Sequence, residues 1–113
     1  MFQACSCGSM VIDGQRYSSD LIIYPDGRVK DSWRRLEGHR LAWQDISHLI
    51  ATHPEISVAG TGVNGRMRTD RHLLQQLTGQ GIALVAEANQ TAVQRYNELL
   101  ATHKVGACFH LTC

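Results

Sequence analysis

The stretch Glu55–Met67, EISVAGTGVNGRM, runs from an apolar segment of strand length into a glycine-rich segment. Two more strand-like segments follow it, IALVA at residues 82–86 and VGACFHLTC at residues 105–113. A helical pattern separates each successive pair. The order strand, helix, strand, helix, strand predicts parallel neighbours joined by right-handed crossovers, so this half of the chain indicates an α/β fold.

Three helical patterns accompany these strands. The segment LAWQDISHLIATHP at residues 41–54 has apolar residues at helical spacing, and Pro54 stands where a helix ends. Asn89 is a good cap for the helix after IALVA. Three leucines before IALVA mark a short helix and should pack inward; they are Leu73, Leu74 and Leu77. IALVA itself is apolar throughout, which predicts a strand covered on both faces.

The first third of the chain is typical of an antiparallel meander. SMVI and QRYS flank Asp13-Gly14, a strong signal for a two-residue hairpin turn. DLIIY and RVKD flank Pro25-Asp26-Gly27, where proline presets the turn and glycine accepts a left-handed backbone. Short strands are therefore expected between about Ser9 and Asp31.

The whole chain fits one domain, because 113 residues with 43% apolar content suit a single compact core. We expect an N-terminal tail at residues 1–8 and a single α/β domain at residues 9–113. Its three expected layers are an N-terminal antiparallel meander, a central mixed sheet, and helices on the other face.

Charge and hydropathy exclude several classes of function. The formal net charge is +1, which gives no general attraction to nucleic acid. The stretch Arg28–Arg71 carries eight basic and five acidic residues, a modest local excess of +3. No apolar segment approaches the roughly 18 residues that span a bilayer, and from the first ten residues we expect no signal peptide. These features predict a cytoplasmic protein without a membrane span.

The glycine-rich segment contains a literal G-x-G-x-x-G, formed by Gly60, Gly62 and Gly65. With Glu87 at the end of the next apolar run, it has the outline of a dinucleotide-binding fingerprint. A true fingerprint opens a helix inside the glycine run, and that helix packs small residues on the sheet. Here RMRTDRH follows, and its charges cannot all be buried. We therefore interpret the match as accidental and expect no nucleotide cofactor.

The same charges predict where the next helix begins. Thr69 and Asp70 are both good caps, so the helix should begin there and leave Gly60–Arg68 as a surface loop. Such a loop can offer backbone N–H groups to an anion, with Arg66 and Arg68 beside it.

Cysteine and histidine do not form a recognisable reactive or metal-binding pattern. Cys5, Cys7, His110 and Cys113 could form a cluster if the termini met, but their spacing matches no standard zinc site. Cys108 and His110 would lie ~6.5 Å apart along a strand, too far for direct proton transfer. We expect free thiols, no bound metal and no catalytic residue.

Three stretches together resemble one small family of unknown function. They are SDLIIYPDGRVKDSWRRLEGHRL at residues 19–41, GTGVNGRM at residues 60–67 and the terminal HLTC. Members of that family include a mammalian adipogenesis-associated domain protein and the mitochondrial complex I assembly factor three. The resemblance implies a three-layered fold without an agreed enzymatic activity, and a role in binding or assembly.

The first hypothesis is therefore a cytosolic, non-enzymatic binding or assembly module with a protein partner. The alternative is a small anionic-ligand-binding domain, with or without enzymatic activity, that uses the Gly60–Arg68 loop. A homodimer is compatible with either hypothesis. The candidate ligand-binding residues are Arg34, His39, Thr61, Gly62, Asn64, Gly65, Arg66 and Arg68.

Overall fold

The computed structural model describes residues 2–6 and 8–111. The strands are β1 (Phe2–Ser6), β2 (Ser9–Ile12), β3 (Gln15–Tyr17), β4 (Leu21–Ile23), β5 (Val29–Lys30), β6 (Arg40–Leu41), β7 (Ile56–Gly60), β8 (Arg68–Thr69), β9 (Ala83–Glu87) and β10 (Val105–Phe109). The helices are a 3-10 helix (Trp43–Ile46), α1 (Ser47–Ile50), α2 (Leu73–Gly79) and α3 (Asn89–Leu100).

The strands form one central sheet and two smaller ones. The central sheet has the order β5-β4-β10-β7-β9, in which β10, β7 and β9 are mutually parallel and β4 and β5 run antiparallel. A second sheet is the antiparallel β1-β2-β3, and β6 pairs with β8 in a two-stranded parallel ladder. The expected single-domain α/β class with a mixed sheet is confirmed.

The predicted meander is divided between two sheets. The Asp13-Gly14 turn has φ values of 50° and 83° and joins β2 to β3 as expected. The β4–β5 hairpin joins the central sheet instead, because β4 pairs with β10. Leu21–Ile23 is buried at every residue, which an interior strand requires. Within the segment expected as a tail, β1 pairs with β2.

Two apolar clusters lie on opposite faces of the central sheet. Successive residues of β7, Val58 and Ala59, belong to different clusters, and so do Ala107 and Cys108 of β10. One face packs on α3 and the small sheet, and the other packs on α1 and α2. The helices therefore divide between both faces instead of lying on one. The cause is that β7 and β10 carry apolar side chains on both faces of the sheet, so other elements must pack on each face to bury them.

Three local predictions are corrected. Leu74 is 57% exposed, while Leu73 and Leu77 are buried. IALVA is an edge strand, β9, and is only partly covered. The predicted helix at residues 41–54 is a 3-10 turn followed by one turn of α-helix, and Pro54 does lie beyond its end.

Candidate functional site

The carboxyl ends of the three parallel strands lie side by side. Gly60 at the end of β7 is in register with Phe109 of β10 and with Glu87 of β9. The segments that follow these strands meet at this edge, which we call the carboxyl edge: residues 61–67, Ala88 with the start of α3, and residues 110–111. Open α/β sheets place their ligands at such an edge.

Asp20, Arg35 and His110 form a buried cluster at the carboxyl edge. Asp20 Oδ2, Arg35 Nη2 and His110 Nδ1 are mutually 2.8 Å apart. Their side chains are 14%, 4% and 5% exposed, respectively. The β4–β10 ladder explains the meeting of two of them, because it pairs Leu21 with Phe109 and so brings the next residues together.

The triangle permits two proton arrangements. His110 Nδ1 either accepts a hydrogen bond from Arg35 or donates its own proton to Asp20, but it cannot do both. Burial alone would raise the pKa of Asp20. The Leu111 N–H, which donates to Oδ1 at 2.7 Å, together with His110 and Arg35, instead holds the pKa of Asp20 below its usual 3.8. The carboxylate is therefore ionised near neutral pH.

Arg35 also fixes the loop that contains it, residues 32–39, which we call the Arg35 loop. Its Nε and Nη2 donate to the Gly38 carbonyl at 2.9 and 2.6 Å. Its guanidinium lies 4.8 Å from the ring centroid of Trp33, a cation–π distance. Nη1 is buried and has no hydrogen-bond partner among the residues that the structure describes. One side chain thus ties both ends of the loop to the core.

Leu36 is an exposed residue of the Arg35 loop. Its N–H donates to Asp45 Oδ1 at 3.0 Å, and the other carboxylate oxygen of Asp45 accepts from the Ala42 N–H at 2.8 Å. The side chain of Leu36 is nevertheless 80% exposed. A groove of about 160 Å³ lies beside it, lined partly by Arg40 and Asp70. The loop therefore holds a large apolar side chain out in solvent.

The predicted surface loop Gly60–Arg68 is correct only in part, because Gly60 ends β7, Arg68 begins β8, and within the connecting segment only residues 63–66 are exposed. Thr61 and Gly62 are buried; the Thr61 N–H donates to the Glu87 carbonyl and the Gly62 N–H to Asn89 Oδ1. The next helix begins at Leu73, later than the predicted Thr69 or Asp70. The reason is that Arg68–Thr69 pairs with β6, which the local sequence does not reveal.

The structure brings most of the candidate ligand-binding residues together, with one exception. Asn64, Gly65 and Arg66 are exposed at the tip of the loop. His39 and Arg68 are also exposed and are linked, since the Arg68 N–H donates to the His39 carbonyl at 2.8 Å. His39 also contacts His110 edge to face, with ring centroids 5.5 Å apart.

Arg34 is the exception. It lines a groove of about 240 Å³ between the β4–β5 hairpin and α1, together with Lys30, Trp33 and His48. This groove lies on the face of the sheet that carries α1, because Lys30 is paired with Ile22 and Ile22 packs in that cluster. None of the loop-tip residues lines it.

Asn89 has a different role from the one predicted. It is the first residue of α3, with Ala88 as the N-cap, and its side chain is fully buried. Its Oδ1 accepts from the Gly62 N–H at 3.0 Å, and its Nδ2 donates to the His110 carbonyl at 2.8 Å. Asn89 therefore joins the segments after β7 and β10.

Cysteine and metal chemistry have little support in the described part of the chain. Burial raises the pKa of the Cys108 thiol to about 12, which keeps it protonated and unreactive. The possible cluster was Cys5, Cys7, His110 and Cys113; His110 bonds to Asp20, and the three cysteine side chains lie outside the described residues. Within the described ranges, no group of three His, Cys, Asp or Glu side chains could hold a metal. No helix there is long and apolar enough to cross a membrane.

Comparison with known proteins places this geometry in a family. Residues 2–110 match the family described as "Protein of unknown function (DUF498/DUF598)". The chain belongs to the DUF498/DUF598 family. This confirms the resemblance at the level of a family of unknown function.

Solved structures share the fold of this DUF498/DUF598 member. A protein named MT938 is 30% identical, with a TM-score of 0.83 over 100% of this chain and 98% of that chain. A conserved hypothetical protein from Pyrococcus horikoshii is 19% identical, with a TM-score of 0.90 over 100% and 99%. An Mth938-like domain from Bordetella pertussis is 18% identical, with a TM-score of 0.69 over 97% and 84%.

Proposed function

We propose that this domain is a cytosolic, non-enzymatic binding module that recognises a partner protein through the Arg35 loop. The observation that carries the proposal is Leu36, whose side chain is 80% exposed. The loop that contains it is anchored by hydrogen bonds of the Arg35 and Asp45 side chains. A few side chains that become buried in an interface carry most of its binding energy, and a loop that is ordered before the partner arrives lowers the entropic cost of association.

The buried cluster supports this role better than it supports catalysis. Asp20 uses both oxygens in hydrogen bonds, and Arg35 Nη2 lies within 2.8 Å of the Gly38 carbonyl, Asp20 Oδ2 and His110 Nδ1. A general base needs an accessible proton acceptor near substrate, whereas this cluster is covered and internally bonded. Its physical effect is to fix the Arg35 loop against β4 and β10.

The family resemblance supports the same class of function. The resemblance of residues 19–41 and 60–67 extends to the mitochondrial complex I assembly factor three, whose name describes assistance in assembling other proteins.

Site-specific photo-crosslinking from the full chain tests the proposal. A photoreactive amino acid replaces Leu36 in the cells that express the protein, and the matched control replaces Leu74, which is 57% exposed on α2. We expect one protein to be crosslinked reproducibly from position 36 and not from position 74. Crosslinking with the same yield from both positions would contradict the proposal.

A second candidate function is capture of a small anion at the tip of the Gly60–Arg68 loop. The N–H groups of Val63, Asn64 and Arg66 make no hydrogen bond within the described chain, and the Arg66 and Arg68 side chains have no ion-pair partner there. Unbonded N–H groups beside arginine side chains suit phosphate or carboxylate.

Thermal unfolding with inorganic phosphate and pyrophosphate tests this second function. A ligand at one hundred times its Kd should stabilise the fold by ~2.7 kcal/mol. The double variant Arg66→Gln, Arg68→Gln should lose that stabilisation, while the exposed control Arg95→Gln on α3 should keep it. Equal behaviour of both variants would exclude the loop tip as the site.

A further inference from the structure

The outer edge of β9 carries unpaired backbone groups. At its start the Ala83 N–H donates to the Glu55 carbonyl at 3.1 Å, and at its end the Glu87 carbonyl accepts from the Thr61 N–H at 2.9 Å. Because backbone groups alternate sides along a strand, residues 83, 85 and 87 face β7. Leu84 and Ala86 therefore point their N–H and C=O groups away from the sheet, where no described residue bonds to them.

The two edges of the central sheet are unequal. The β5 edge is two residues long and carries Lys30, and short charged edges discourage pairing with other chains. The β9 edge is five residues long, and its sequence ALVAE has no proline, no lysine and a single charge at its end. Its ladder with β7 runs without a bulge. β9 therefore lacks the short length, the lysine, the proline and the bulge that protect many edge strands, and Glu87 is its single charge.

We propose that β9 pairs with β9 of a second copy of this chain. In the proposed arrangement the strands run antiparallel about a two-fold axis that passes through Val85. Leu84 of each copy then lies opposite Ala86 of the other, and the two residues exchange both backbone hydrogen bonds. The two five-stranded sheets become one continuous ten-stranded sheet.

The strand's own sequence favours a second copy in this register. A two-fold axis at Val85 pairs all five residues of β9 and no others. An axis at Leu84 would extend the pairing to Gly81, and an axis at Ala86 would extend it into the start of α3. Val85 meets Val85 of the second copy as a non-hydrogen-bonded pair, the closer kind, where β-branched side chains contact well. Glu87 lies opposite Ala83, so the two carboxylates are at opposite ends of the ladder. A parallel pairing would place them side by side.

Sedimentation of the full chain tests the proposal, at concentrations up to about 1 mM so that a dissociation constant as weak as about 1 mM is still detected. The diagnostic variant is Ala86→Pro, since proline removes an outward N–H and leaves the inward ladder of β9 intact. Ala86→Ser, which keeps that N–H, is the matched control. We expect a concentration-dependent dimer for the natural chain and Ala86→Ser, and a monomer for Ala86→Pro.

Amide hydrogen exchange of the natural chain tests the register without a variant, so the proposal does not depend on Ala86→Pro folding. The Leu84 and Ala86 amides should exchange more slowly as protein concentration rises, and the Val85 amide should not change, because it already bonds to β7. The proposal is overturned if the natural chain stays monomeric at every concentration, or if Ala86→Pro dimerises as well as the natural chain. It is also overturned if the exchange rates of the Leu84 and Ala86 amides do not change with protein concentration.

Discussion

Asn89 and Gly62 are joined by two hydrogen bonds that run in opposite directions. The Gly62 N–H donates to Asn89 Oδ1, and the Asn89 N–H donates to the Gly62 carbonyl, both at 3.0 Å. The remaining polar group of Asn89, Nδ2, donates to the His110 carbonyl. This residue therefore satisfies buried backbone groups from two separate segments of the carboxyl edge.

Replacing Asn89 with alanine should destabilise the fold strongly. The substitution leaves the Gly62 N–H and the His110 carbonyl buried without this partner, and each such group costs about 1–3 kcal/mol. Urea unfolding should show the loss as a lower midpoint. Asn97→Ala on the same helix is the control, because Asn97 Oδ1 has no hydrogen-bond partner among the residues that the structure describes; an equal loss in both variants would contradict this role.

Gly60 should tolerate no side chain. A Cβ built there lies 2.5 Å from Asn89 Oδ1 and also overlaps Phe109 Cδ1, and both side chains are fully buried. Gly60→Ala should therefore cost roughly 1–3 kcal/mol through overpacking. Gly79→Ala at the end of α2 meets no atom within 4 Å and should be neutral or stabilising in the same unfolding experiment. Similar losses would show that Gly60 is not packed as described.

Local signals in the sequence were sufficient for the turns and for the order of elements. Asp13-Gly14 and Pro25-Asp26-Gly27 specify their turns through the backbone angles that glycine and proline allow, independently of the rest of the chain. The alternation of strands and helices after Pro54 likewise needs no tertiary information. These features were predicted correctly.

The buried cluster could not be predicted, because long-range pairing creates it. Asp20 and His110 are 90 residues apart in sequence and meet through the β4–β10 ladder. Arg35 lies in a polar loop where nothing distinguishes it from its exposed neighbour Arg34. Once Leu21 is known to pair with Phe109, the contact of Asp20 with His110 follows directly.

The start of α2 was also predicted wrongly because a pairing with a distant segment determines it. Asp70 is a good helix cap by type, but its carboxylate instead bonds to Arg40 at 2.6 Å. That contact accompanies the β6–β8 ladder, which holds Arg68–Thr69 extended and delays the helix to Leu73. The preference of these residues for a helix start is a weak effect, and pairing with a distant strand overrides it.

Asp20 should make the fold sensitive to acid. Its pKa is lower in the folded state than the usual 3.8, so its stabilising contribution is present above that value and is lost as pH falls through the folded pKa. Asp20→Asn should be less stable at neutral pH and should lose less stability below about pH 4. The free energy of unfolding measured against pH checks this, and parallel curves for the two proteins would contradict it.

Tyr96 should make the fold sensitive to alkali. Burial, assisted by the negative charge of Asp13, raises the pKa of Tyr96 from 10.0 to about 12. The raised value means that its contribution is complete below pH 10 and is lost as pH rises toward about 12. Tyr96→Phe should flatten stability over that interval in chemical unfolding at several pH values. An unchanged slope would show that Tyr96 ionises as easily in the folded state as in the unfolded one.

The affinity of the protein crosslinked from position 36 tests the central claim most directly. Its dissociation constant is measured for the natural chain, for Leu36→Asp and for the exposed control Leu74→Asp. A charge at a binding hot spot costs at least about 1.4 kcal/mol, so Leu36→Asp should weaken binding tenfold or more, and Leu74→Asp should change it less than about twofold. Unchanged affinity of Leu36→Asp, or an equal loss in both variants, would contradict recognition through the Arg35 loop.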